Sequence, residues 1–103
     1  SLTETAIPSE IDRIRKDAMV AVDYSGTAED SASGVSSPTN TVLIDEYGVL
    51  DQDLAGKRSG IVMVEAWCNG KDKDGRTYII RLTACDLAGN EASADAIVTV
   101  LHP

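Results

Sequence analysis

The stretch Asp72–Ser93, DKDGRTYIIRLTACDLAGNEAS, decides the fold. Between an Asp-Gly pair and a Gly-Asn pair, Tyr78, Ile80, Leu82 and Ala84 alternate one by one with Ile79, Arg81, Thr83 and Cys85. A period of two is the signature of a strand with one buried face, because successive side chains leave a strand on opposite sides. The first set is therefore expected in the core and the second outside it. A tyrosine that opens a strand after a turn can bury its ring while its hydroxyl bonds to the backbone of the corner, and Asp74-Gly75-Arg76-Thr77-Tyr78 supplies both turn and ring. DLAGN, Asp86–Asn90, then reads as the turn into the closing strand, with Gly89 or Asn90 suited to positive φ.

The same period runs outward from this hairpin. MVAVDY sets Met19, Ala21 and Asp23 against Val20, Val22 and Tyr24, and GIVMVEAWC sets Val62, Val64 and Ala66 against Ile61, Met63, Glu65 and Trp67. NTVLIDEYG is a short apolar run ending in polar residues and Gly48. SADAIVTVLH places Ala96, Val98 and Val100 opposite Ile97, Thr99 and Leu101. Clusters of Gly, Ser, Asp, Asn and Pro separate the runs. Short strands with punctuating turns predict an all-β chain, a single antiparallel Greek-key β-sandwich of about seven strands. One segment leaves two readings open. Ile7, Ile11, Ile14 and Ala18 follow helical spacing and Ser9 with Asp12 resembles a capping box; the alternative is a short first strand from Ile11, broken at Lys16-Asp17. The strand is preferred, since so short a helix gains little without packing. The domain reading is thus a lead-in or first strand over 1–17 and a sandwich over 18–103.

A chain of 103 residues is the size of one domain. With no Phe and a single Trp, its core is aliphatic. The net charge of −8 opposes phosphate backbones, so nucleic acid and anionic membrane are poor partners. No apolar run is long enough to span a membrane, and Ser1–Ile14 is too polar for a secretory leader. Without an initiator Met, the chain reads as a domain of a longer protein.

DGRTYIIRLTACDLAGN followed by ASADAIVTV, YSGTAEDSASGV at Tyr24–Val35, and DEYG at Asp45–Gly48 resemble the immunoglobulin-like and fibronectin type III-like modules of bacterial secreted and surface proteins, with hyalin-repeat domains as near relatives. The resemblance covers about Met19 to Leu101. It implies an immunoglobulin-like sandwich and an extracytoplasmic, secreted or cell-surface address. It also implies a non-catalytic structural or spacer role, in which the module presents or docks neighbouring domains of the parent chain. Such modules share a scaffold and not a function. Cys68 and Cys85 stand where polar residues are more usual in these modules.

The chemistry-bearing residues are sparse. The only histidine, His102, lies one residue from the end, where it is expected to be exposed, and no nucleophile elbow, phosphate loop or Cys-x-x-Cys occurs. No catalytic residue or cofactor site is expected. A calcium site is the first alternative: Asp72 and Asp74 lie two apart before Gly75, but Gly70 and Arg81 stand where an EF-hand needs Asp and Glu. Asp86 in ACDLAGN resembles the Ala-x-Asp-x-Gly of cadherin modules, which implies a calcium-rigidified adhesion repeat. A carbohydrate-binding accessory module, taking a glycan, would need aromatic platforms, for which Trp67 and Tyr47 are the candidates. The two cysteines are expected to stay unbridged. Cys68 precedes the corner and Cys85 follows eight residues of strand, about 25 Å of rise against the ~4.4–6.8 Å that a disulfide tolerates.

Overall fold

The computed structural model describes residues 2–28, 39–54, 59–71, 73–85 and 91–102. Eight strands follow in order: β1 (Leu2–Ile7), β2 (Glu10–Asp12), β3 (Met19–Ala28), β4 (Thr39–Asp45), β5 (Gln52–Asp53), β6 (Ser59–Glu65), β7 (Arg76–Cys85) and β8 (Glu91–Leu101). They form a three-stranded sheet, β1-β3-β6, and a five-stranded sheet, β2-β8-β7-β4-β5. The result is an all-β, two-sheet architecture, with eight strands where about seven were expected.

The N-terminal segment supplies two of the eight strands, β1 and β2, and is not helical. Alternation, rather than helical spacing, governs it. β1 starts at Leu2, well before Ile11, and pairs antiparallel with β3; after a cis Ile7-Pro8 bond, β2 pairs parallel with β8. Residues 2–12 therefore contribute to both sheets. Ile11 is buried between exposed Glu10 and Asp12, so it serves the core as a strand residue.

The opening hairpin is where the sequence placed it. β7 and β8 pair from Arg76↔Val100 to Cys85↔Glu91, in the middle of the larger sheet. Tyr78, Ile80 and Leu82 are fully buried, as are Val98 and Val100 across from them, whereas Ile97 faces out. Val22 and Tyr24 of β3, and Val62, Val64 and Ala66 in and beyond β6, close the core from the other sheet. Gly60 sits opposite Tyr24, and a Cβ there would come within 3.0 Å of the Tyr24 hydroxyl. A larger residue would displace that ring.

The two sheets share their poles. One pole gathers the ends of β2, β4, β6 and β8 and the starts of β3 and β7; Leu2, paired with Ala28, lies at the other. The body measures 48 × 20 × 19 Å, with a radius of gyration of 15.0 Å against about 13 Å for a compact domain of this length.

Candidate functional site

The densest polar chemistry lies at the first pole, around Arg76, whose side chain is only 1% exposed. Gly75 puts it there. With φ of +86° and room for no Cβ, which would meet the Val100 carbonyl oxygen at 2.2 Å, Gly75 lets the chain turn tightly into β7. Arg76 then points inward, its Nε 2.9 Å from Asp45 Oδ1 and its Nη2 2.5 Å from Asp45 Oδ2. This two-pronged pairing is matched to the planar guanidinium. Arg76 Nη1 also donates to Glu65 Oε1 at 2.7 Å and to the Trp67 carbonyl at 3.3 Å. The guanidinium lies over the rings of Tyr47, at 4.3 Å, and Tyr78, at 4.9 Å.

Asp45 is as fully engaged. Its Oδ1 accepts from the Tyr47 N–H at 3.0 Å, and its Oδ2 from the N–H groups of Val49 and Leu50 at 3.2 and 3.0 Å. Thus the Asp of DEYG caps its own turn, with Gly48 at φ +69° donating to the Asp45 carbonyl. Burial pushes the Asp45 carboxyl up, but Arg76 and the N–H groups of Tyr47 and Leu50 more than reverse this and hold it below its ordinary value. The Arg76 bond likewise lowers Glu65, which also accepts from the Asp17 N–H at 2.7 Å and so anchors the turn into β3. Burial pushes the Tyr78 phenol up.

The Tyr78 ring is buried as expected, but its hydroxyl does not bond to the Asp74–Thr77 corner. It donates to the Glu65 carbonyl at 2.8 Å and accepts from the Glu65 N–H at 3.1 Å. The reason is topological. β6 and β7 belong to different sheets, so the segment between them crosses the sandwich and the end of β6, not the turn, lies over the ring.

The aromatic pair proposed for glycans does meet at this pole, with one face of each ring already covered. The Arg13 guanidinium lies 3.9 Å from the centre of the half-buried Trp67 ring while its Nε donates to the Cys68 carbonyl at 3.0 Å. Tyr47 carries Arg76, and its hydroxyl accepts from the Asn69 N–H at 2.9 Å. His102 is half-buried rather than exposed, its Nε2 3.1 Å from the Gly70 carbonyl. Asp74 is exposed in its turn, while Asp72, Asp86 and the Gly89-Asn90 turn lie outside the described residues. Among the described residues no three His, Cys, Asp or Glu side chains converge as metal ligands. Cys68 is a buried free thiol at this pole. Cys85 ends β7 at the opposite pole, its side chain outside the described set.

Sequence reading missed the Asp45–Arg76–Glu65 cluster. DGRTY was visible as a turn and DEYG as the polar end of an apolar run, but Asp45 and Arg76 are 31 residues apart, and nothing local to either motif specifies the other. The arrangement welds turns from both sheets into one rigid pole. Among known proteins, the chain matches no family model, no curated protein and no solved structure.

Proposed function

We propose that this chain is a non-catalytic structural or spacer module of a larger extracytoplasmic bacterial protein, where it presents or docks neighbouring domains, and that its sandwich follows an immunoglobulin-like Greek-key plan. The observation that carries the reading is the position of the chain's two ends. Leu2 and Leu101 lie at opposite poles of a body 48 Å long, so a module joined in series would lengthen its parent by its long axis. A first strand divided between a three-stranded and a five-stranded sheet supports the immunoglobulin-like plan. The welded pole around Arg76 supports a rigid rather than a hinged bead. Exposed Met19, Ile61 and Met63 on the outer face of the smaller sheet give an adjacent domain apolar surface to bury.

The alternatives are a carbohydrate-binding accessory module and a calcium-rigidified adhesion repeat. A glycan panel probed with the wild type and Trp67→Ala separates the first from the spacer. A spacer shows no retained glycan and only a stability loss in the variant. Retention of a glycan by the wild type that Trp67→Ala abolishes would overturn it.

A further inference from the structure

One titratable group in the core plays no part in the polar pole. Glu4, on β1, faces inward opposite Gly26, and both of its carboxylate oxygens are sealed from solvent with no hydrogen-bond partner among the described residues. An unpaired buried carboxylate is costly when charged and far less so when protonated. At the Glu4 end, the described inward side chains of the strands packed against β1 are Tyr24 on β3, Leu82 and Ala84 on β7, and Ala94 and Ala96 on β8; Arg76 and Tyr78 of β7 also point inward, but at the opposite pole. Of those at the Glu4 end Tyr24 alone titrates, and its phenol is pushed up by burial and then by Glu4 itself. The nearest charged pair on those strands, Arg81 with Asp95, is on the outer face and self-satisfied at 2.8 Å. No described cation faces Glu4. Burial accordingly raises its carboxyl from 4.5 to about 7.

β1 is an edge strand of the smaller sheet, laddered to β3 on one side only. Its outward residues add little to hold it: Thr3 bonds Thr27, and Thr5 Oγ1 donates to the Ser25 carbonyl at 3.1 Å, both in solvent.

We propose that β1 is a pH-responsive latch, docked on β3 while Glu4 is protonated and loosened when Glu4 ionises, with β7 and β8 staying folded throughout. The direction follows from linkage. A carboxyl raised above its unfolded value favours the docked strand fully below about 4.5 and loses that favour as pH rises through about 7.

Amide hydrogen exchange on the intact chain between pH 5 and 8.5, corrected for intrinsic rates, reads this directly. Protection of the β1 amides bonded to β3 should fall by about tenfold or more across the range, with a midpoint near 7. Amides of β7 and β8 should keep their protection, and Glu4→Gln should abolish the dependence. His102, the only histidine, sits at the opposite pole and is retained in that variant, so whatever the substitution removes belongs to Glu4. The carboxyl carbon shift of Glu4 in the wild type provides a readout that needs no variant. A carboxyl midpoint near 4.5, pH-independent β1 protection, or an unchanged dependence in Glu4→Gln would each overturn the proposal.

Discussion

The Tyr78 hydroxyl donates to the carbonyl of Glu65 and accepts from the N–H of the same residue, so a single phenol joins β7 to the end of β6 across the two sheets. Removing it tests the join in two steps. Tyr78→Phe leaves both Glu65 backbone groups without their partner and should cost about 1–3 kcal/mol, whereas Tyr78→Ala also empties the ring's place in the core and should cost about 3–5 kcal/mol. Chemical denaturation measures both. A Tyr78→Ala protein as stable as the wild type would contradict the observed register.

The Asp45–Arg76 pair should behave as a buried ion pair that tolerates no half-removal. Asp45→Ala takes the two-pronged partner from a buried guanidinium, leaving it Glu65 as its carboxylate, frees the turn N–H groups, and should cost about 3–5 kcal/mol; replacing both residues with apolar ones should be milder than the sum. Asp45 and Glu65 are both held below their ordinary values of 3.8 and 4.5. Their stabilisation is therefore complete above those values and lost as pH falls through the lower, folded ones. Thermal melts from pH 2 to 5 should show stability climbing with pH, with a shallower climb in Asp45→Asn.

Gly75 should tolerate no side chain. Gly75→Ala places a Cβ against the Val100 carbonyl and strains a left-handed backbone, and should cost on the order of 2–4 kcal/mol. Gly48, with φ +69° and open space around it, supplies the contrast: Gly48→Ala should cost on the order of 1 kcal/mol, from backbone strain alone. Equal losses at the two sites would count against the close approach at Gly75.

Cys68 should be a free thiol that reagents reach only on unfolding. Alkylation of the unfolded chain under non-reducing conditions should add two groups by mass spectrometry, and native alkylation should spare Cys68. An internal bridge would require Cys68 and Cys85 to meet, although Cys68 lies at the Arg76 pole, where Arg13 holds its carbonyl, and Cys85 ends β7 at the other.

The strands were legible because alternation is a local signal: Tyr78-Ile80-Leu82 and Ala96-Val98-Val100 declare a buried face without knowledge of their partners. The N-terminal segment was less so, because Ile7, Ile11 and Ile14 also satisfy helical spacing. What selects strand there is the pairing of β1 with β3 and of β2 with β8, which are distant in sequence. The polar pole was illegible for the same reason. Asp45, Glu65 and Arg76 are ordinary surface residues by composition, and only the stacking of two sheets makes them a buried cluster. Glu4 left no mark in the sequence, since its separation from every described cation is a property of the packed strands around it.

The spacer reading rests most directly on the separation of the chain's ends. Spin labels carried by unnatural amino acids at Thr3 and Leu101, read by pulsed dipolar spectroscopy on the intact chain, give that distance and its spread. The strand lengths place the two positions about 30–45 Å apart in one narrow distribution. A separation below about 20 Å, or a broad distribution spanning both ranges, would contradict a rigid module that carries its chain from one pole to the other.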